Sequence, residues 1–205
     1  MKLVFATHNK GKLFEMRQIL GDIGIEVVSA EDAGFHDEPI EDGATFEINA
    51  LKKALETSKA IHEWAVADDS GICIKALGGE PGVFSKRWAG EGADDAKIIE
   101  YTFQKIKNIP EGEREAWFES AVALVSPDGD YWLFNGIVSG KLAQSPRGRH
   151  LPGLPYDVFF IPEGEERTFG EMTGAEKNSL SHRGRAFQEL KQFLAKQPLG
   201  TQDAK

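Results

Sequence analysis

Two long runs rich in β-branched and aromatic residues, 113 to 125 and 131 to 142, limit the fold more than any other feature of this chain. Ser126-Pro127-Asp128-Gly129-Asp130 between them is turn chemistry, so the runs predict an antiparallel hairpin. Ahead of the hairpin, strands and helices alternate. Met1 to Ala6 reads as a short buried strand running straight into Thr7-His8-Asn9-Lys10-Gly11-Lys12. A helix follows, because Leu13, Met16, Ile19, Leu20 and Ile23 recur mostly at steps of three and four, with Gly21 and Gly24 near its stop. Residues 25 to 28 form a second strand, and the acidic, aperiodic stretch from Glu31 to Asp42 is a surface loop.

Thr45 caps a second helix with Phe46, Ala50, Leu51, Ala54 and Leu55 on its apolar face, ending near His62. Two short apolar runs, 65 to 67 and 72 to 74, then flank Asp68-Asp69-Ser70-Gly71. Residues 78 to 82 are a turn cluster, 96 to 109 an amphipathic helix, 143 to 155 a loop and 158 to 161 the last strand. A final helix from about His182 to Lys196 buries Phe187, Leu190, Phe193 and Leu194, and residues 199–205 should fray. The whole predicts an α/β fold, a central mixed β-sheet flanked by helices, in a single domain over residues 1–198 with its site in loops at strand ends.

Composition excludes several roles. With 205 residues, 40% hydrophobic and 28% charged, the chain is long and apolar enough to bury a core. Its net charge of −9 argues against sequence-independent binding to nucleic acid, which needs a basic surface. No apolar run approaches the roughly eighteen residues that span a bilayer, and the apolar start is too short for a signal peptide. The lone cysteine, Cys73, excludes an internal disulfide and suits a reducing compartment, so the expectation is a cytoplasmic protein without membrane contact.

Three segments carry chemistry. The loop from Thr7 to Lys12 places hydroxyl, amide and ammonium groups at a helix N-terminus, where free N–H groups and the helix dipole favour phosphate; the alternative is a plain helix cap with both lysines solvated. Asp68 and Asp69 suit a hard cation such as magnesium, although strand neighbours point to opposite faces and only one should face a given pocket. A simple Asp-Ser-Gly turn is the alternative. Further carboxylates could come from Glu38, Glu41 or Asp42, and Lys53 either reaches phosphate or lies exposed. The third segment, Glu176 to Arg185, has an anion-binding composition, with Ser181 as a helix cap and His182 and Arg183 in the first turn, where positive charge needs a compensating anion. No Gly-x-Ser-x-Gly elbow or His cluster is present, so metal-assisted attack of water on phosphorus fits best.

Taken together these segments resemble the inosine/xanthosine triphosphate pyrophosphatase family. The resemblance rests on Thr7, Asn9 and Lys12; on Thr45, Phe46, Asn49, Ala50, Lys53 and Ala54; on Asp69-Ser70-Gly71; on the stretch from Leu77 to Ser85; on Tyr156-Asp157; and on the stretch from Glu176 to Gly184. It covers about residues 3 to 194. It implies two lobes with an active-site cleft, a homodimer, and Mg2+-dependent hydrolysis of ITP, dITP and XTP to the nucleoside monophosphate and pyrophosphate. Carried over, Thr7, His8, Asn9, Lys10, Gly11, Lys12 and Lys53 would hold phosphates, and Asp69 would be general base and metal ligand with Glu41 as a further ligand. Ser70 would touch substrate, while Tyr156, Asp157, Lys177, His182 and Arg183 would line the nucleoside end. The chain departs from the family's Gly-Phe-Gly-Tyr-Asp-Pro at Gly153-Leu154-Pro155-Tyr156-Asp157-Val158, losing a ring that could stack on a base. Two other readings are a nucleotide-binding regulator without chemistry and a pyrophosphatase for modified pyrimidine nucleotides.

Overall fold

The structure is a computed structural model that describes residues 2–37 and 39–196. The frayed tail expected at 199–205 and the candidate ligand Glu38 lie outside the described residues. Six strands, β1 (Lys2–Phe5), β2 (Glu26–Ser29), β3 (Ala65–Ile74), β4 (Glu115–Val125), β5 (Tyr131–Leu142) and β6 (Phe160–Pro162), form one sheet in the order β2-β1-β3-β4-β5-β6. β1 pairs in parallel with β2 and β3, whereas the β3–β4, β4–β5 and β5–β6 pairs are antiparallel, so the sheet is mixed. Among the described residues five α-helices accompany it: α1 (Lys10–Leu20), α2 (Phe46–Ile61), α3 (Asp95–Ile106), α4 (Gly174–Leu180) and α5 (His182–Lys196).

The alternation of side chains along β3 explains where a site arises. On one face Val66 packs into a core with Leu3, Phe5, Leu124 and Phe187, while Ile72 and Ile74 join a second core with Ile98, Phe118 and Phe159. Asp68 and Ser70 occupy the same face between them, so a polar gap separates two apolar bodies built on the same long strands. The opposite face is lined with small residues, Ala67, Ala121 and Ala123, against which Ala50 and Ala54 of α2 pack.

The register carries the gap across the sheet as a row of small residues, Ser70 opposite Ser120 and Ser120 opposite Gly136. A Cβ at Gly136 would lie 2.1 Å from the His182 carbonyl oxygen, so only glycine lets the start of α5 settle into that row. On the other face Gly71 plays the same part for the 3-10 turn Gly82–Arg87, whose Gly82 carbonyl oxygen would lie 2.3 Å from an added Cβ.

Four expectations need correction. Asp68 to Gly71 are not a turn, since β3 runs through them and pairs with β4 over its whole length. The last strand begins at Phe160, because Pro155, with its fixed φ, starts a 3-10 turn that takes up Tyr156 to Val158. Helix α4 was not anticipated; it is seven residues long and has too little apolar periodicity to be seen. Its start was nonetheless encoded in a reciprocal cap between Thr173 and Glu176. Phe193 is only half-buried, at the margin of the core.

Candidate active site

The β1–α1 loop is fixed by its own side chains. Asn9 caps α1, its Oδ1 accepting from the N–H groups of Gly11 at 2.9 Å and Lys12 at 3.3 Å, while its Nδ2 donates to the Gly153 carbonyl at 3.0 Å. Thr7 Oγ1 accepts from Asn9 N–H at 3.1 Å. One turn into the helix, Lys12 reaches the gap in the sheet and meets Asp68 at 3.0 Å.

Asp68 and Asp69 separate to opposite faces, as strand geometry demands. Asp68 is buried and accepts from Arg183 Nε at 3.0 Å besides pairing with Lys12; its Oδ1 has no hydrogen-bond partner. Burial opposes its charge, but Lys12, Arg183 and Lys53 outweigh that and hold its carboxyl far below the ordinary range. Asp69 faces α2 and accepts from Asn49 Nδ2 at 2.9 Å, with the Lys53 ammonium 4.0 Å away. Here burial prevails, and with the nearby negative charge of Glu41 it raises Asp69 above its ordinary value. Lys53 is itself buried, between Glu41 at 2.5 Å and the Asp68 carbonyl at 2.8 Å. Lys12 is lowered by burial, and although Asp68 counters this, Lys53 and Arg183 add to the lowering. An additional anion would restore its balance.

A second buried cluster braces the first. Glu15 of α1 receives Lys177 at 2.6 Å and Arg183 at 2.5 Å, and Lys177 also bonds to Asp157. Burial raises Asp157 although Lys177 opposes it. Ser181 Oγ accepts from Gly184 N–H at 3.0 Å, capping α5, and the positive charge in that first turn is compensated from within by Glu15 and Asp68. His182 lies flat on Phe118, with ring centroids 4.4 Å apart and 6° between the planes, and its Nδ1 has no partner. Burial, then Arg183 and Lys177, push it well below its ordinary value, so the ring is neutral.

Two adjoining cavities open onto these groups. The larger, about 200 Å³, is lined by Asp69, Ser70, Tyr156, Asp157, His182 and Arg183, with Phe118 and Leu154 as apolar walls. The smaller, about 80 Å³, takes in Thr7, His8 and Lys53. Asn9, Lys12, Glu41 and Lys86 line both and form the neck between them. Of the residues carried over from the resemblance, Lys10, Gly11 and Lys177 line neither cavity and the others line one or both. Of the further carboxylates, Asp68 lies outside both cavities, paired with Lys12 and Arg183, and Asp42 is exposed and pairs with Lys52 at 2.8 Å. Lys10 is exposed, and Lys177 is buried with Glu15 and Asp157. The sequence pointed to neither Glu15 nor Phe118, and it marked Asn49 as a motif residue without the role it has, holding Asp69. Glu15 had one readable signal, a charge three residues after Lys12 and so on the same side of an amphipathic helix.

The donors also bear on a metal. Among the described residues no group of three or more His, Cys, Asp or Glu side chains is gathered as a cation cage. Two carboxylates, Asp69 and Glu41, do share the larger cavity and sense each other's charge. That set fits magnesium, which takes one or two carboxylates and completes its shell with water and substrate phosphates.

The family model described as the Ham1 family matches residues 3–193. The chain belongs to the Ham1 family. This Ham1 chain is 44% identical over 194 residues to the dITP/XTP pyrophosphatase of Leuconostoc mesenteroides, covering 93% of itself and 94% of that protein. It is 41% identical over 191 residues to the dITP/XTP pyrophosphatase of Bacillus subtilis, with coverage of 93% and 96%. Among solved structures, a HAM1 protein from Coxiella burnetii superposes with a TM-score of 0.84 at 35% identity, covering 96% of this Ham1 chain and 99% of that one. The nucleoside-triphosphatase / dITP/XTP pyrophosphatase of Mycobacterium abscessus gives a TM-score of 0.72 at 42% identity, with coverage of 93% and 98%.

Proposed function

We propose that this protein hydrolyses the non-canonical purine nucleoside triphosphates ITP, dITP and XTP to the nucleoside monophosphate and pyrophosphate. Its Ham1 relatives carry dITP/XTP pyrophosphatase names. The observation that carries the reading is the position of Asp69, a carboxylate of raised basicity lining the same cavity as Lys12 with Lys53 at 4.0 Å. A base beside two cations is what attack on a polyphosphate requires.

In this reading the nucleoside occupies the larger cavity and the phosphates pass the neck toward Thr7, His8 and Lys53. Asp69 takes the proton of a water whose oxygen attacks the α-phosphorus, and the bond to the oxygen bridging the α- and β-phosphates breaks to release pyrophosphate. Lys12 and Lys53 meet the charge that grows on the leaving group. The family's chemistry generally needs a divalent cation; we assign it as Mg2+, held by Asp69 and Glu41, where it would polarise phosphate oxygens and the water. Lys177, already engaged by Glu15 and Asp157, positions Asp157 rather than touching phosphate.

A 6-oxopurine presents an acceptor at O6 and a donor at N1. Arg183 or neutral His182 facing O6, with Asp157 facing N1, favours it over adenine. Leu154 supplies an apolar wall in place of a stacking ring, and Tyr156 is held by its hydroxyl, which donates to the Ser85 carbonyl at 2.8 Å. The reading also carries forward a cytoplasmic homodimer. Among the described residues no helix is long and apolar enough to cross a membrane.

The test is product analysis with ITP and XTP beside GTP and modified pyrimidine triphosphates, with and without Mg2+. Equimolar monophosphate and pyrophosphate from ITP and XTP are expected. Orthophosphate release or a preference for modified pyrimidines would overturn the substrate assignment, and nucleotide binding without turnover would identify a regulator.

A further inference from the structure

The apolar wall that Leu154 gives the larger cavity is carried by a stretch with little packing of its own. Residues 144–150, Pro152 and Gly153 are exposed, and Leu154 is the first buried residue after Ala143. Up to Arg149 the stretch is held from behind: Arg147 N–H donates to the Val158 carbonyl and Arg149 N–H to the Gly170 carbonyl, each at 2.6 Å. Beyond Arg149 the ties run across the cavity instead, to α3 and to the start of α1.

Gly153 is tied on both sides. Its N–H donates to Asp95 Oδ2 at 2.7 Å, and its carbonyl accepts from Asn9 Nδ2 at 3.0 Å. With φ at +80°, and with an added Cβ only 2.7 Å from Asn9 Nδ2, the position admits glycine alone. The same Asp95 oxygen accepts from His150 Nε2 at 2.8 Å, so one carboxylate gathers both ends of the tip at 150–153. The next residue, Leu154, lies over the first turn of α1, where a Cβ at Gly11 would stand 3.2 Å from its Cδ1. Its carbonyl accepts from Asp157 N–H at 3.3 Å, and Pro155 between them, with its fixed φ, passes a displacement on rather than absorbing it.

The cap of α3 does not need Asp95, because Asp94 supplies it, accepting from Lys97 N–H at 2.8 Å. Asp95 is nonetheless firmly mounted. One turn on, Ile98 is buried and lines the same cavity, and the Phe103 ring meets Phe159 edge-on with centroids 5.2 Å apart. We propose that Asp95 is a positioning residue for the nucleoside: by holding Gly153 against Asn9 it sets Leu154, and through it Asp157, at a fixed distance from the phosphate loop. This rests on the functional reading and adds to it the residue that matches the two ends of the site. A nucleotide has a covalently fixed span from base to α-phosphate, and Asn9 stands at the neck where the phosphates begin. A wall held from both sides is preorganised for that span. Without Asp95 the tip hangs on Asn9 alone.

The experiment compares wild type, Asp95→Ala and Asp95→Asn in steady-state kinetics with ITP and ATP and in trypsin cleavage after Arg149, followed as the fragment ending there. Asp69, Lys12 and Lys53 stand on other elements, so Asp95→Ala is expected to raise KM for ITP about ten-fold with kcat little changed. The preference for ITP over ATP should narrow about five-fold, and cleavage after Arg149 should quicken about ten-fold. Asp95→Asn keeps an acceptor for the Gly153 N–H and should stay within about two-fold of wild type in every readout. An Asp95→Ala variant with a lowered melting temperature but an unmoved KM marks a merely structural role and overturns the proposal. So does an Asp95→Asn variant as impaired as Asp95→Ala. A wild type that leaves ITP intact overturns the functional reading instead; that failure shows before any substitution is made, and the trypsin readout still decides the tie.

Discussion

Gly136 of β5 and His182 of α5 touch so closely that the missing Cβ of the glycine would stand 2.1 Å from the His182 carbonyl oxygen. The backbone of one element thus sets where the neighbouring helix begins, and with it the position of two cavity side chains. Gly136→Ala is expected to push the start of α5 outward. Stability in urea should fall by about 3 kcal/mol, and kcat/KM for ITP should fall with it. A variant of wild-type stability and activity would mean that α5 is not seated by this contact.

Asp69→Asn keeps the shape of the side chain and removes its basicity. Pyrophosphate release should drop by roughly 10³-fold while the melting temperature stays within a few degrees. Retained turnover in the folded variant would remove Asp69 from the base role.

Glu41→Gln separates metal binding from chemistry. The Mg2+ concentration giving half-maximal rate should rise at least ten-fold, and saturating metal should recover much of kcat. An unchanged metal requirement would assign Glu41 to its ion pairs, with Lys53 at 2.5 Å and Arg87 at 3.7 Å.

His182 makes stability depend on pH. Its folded value lies well below the ordinary one, so from about pH 6.5 downward the unfolded chain binds a proton that the folded chain refuses, and stability falls as pH falls. The slope reaches at most about 1.4 kcal/mol per pH unit. Asp69 and Asp157, both raised, act with the opposite sign, so the quantity to measure is the difference between wild type and His182→Gln in urea titrations from pH 7 to 5. Parallel curves would show that His182 does not titrate in this way.

Thr57 has a fully buried hydroxyl with no hydrogen-bond partner, on the wall of the smaller cavity. Thr57→Val preserves the shape and removes the unpaired group. The variant should be as stable as wild type or up to about 1 kcal/mol more so. A clear loss of stability in the same denaturation assay would reveal a bond that the hydroxyl makes in solution.

Much of this architecture was written in local patterns. The hairpin, α1, α2 and α5 follow from periodicity and caps, and the strand–loop–helix start put Asn9 at a helix N-terminus, whereas Lys10 to Lys12, read as loop, are the first residues of α1. Asp68-Asp69-Ser70-Gly71 was ambiguous because its composition is that of a turn; what makes it strand is pairing with β4, a partner some fifty residues away. The site divided along the same line. Motif residues such as Asp69 and Arg183 were legible, but the neutralisation of Lys177 and Arg183 by Glu15 joins residues more than 160 positions apart, which no spacing rule reports. Phe118 was hidden differently: as an aromatic in a β-run it looks like any core residue until His182 lies on it.

That β3, β4 and β5 pass unbroken beneath both apolar bodies restricts how this molecule can breathe. A hydrogen-bonded ladder has no soft joint, so the two halves are denied the free swing of domains on a tether. Widening has to come as a slight increase of coil in the strands, concentrated where Ser70, Ser120 and Gly136 leave the least bulk to resist it. The bond from Asn9 to the Gly153 carbonyl ties the start of α1 to the far wall of the larger cavity, so any such coiling is felt there first.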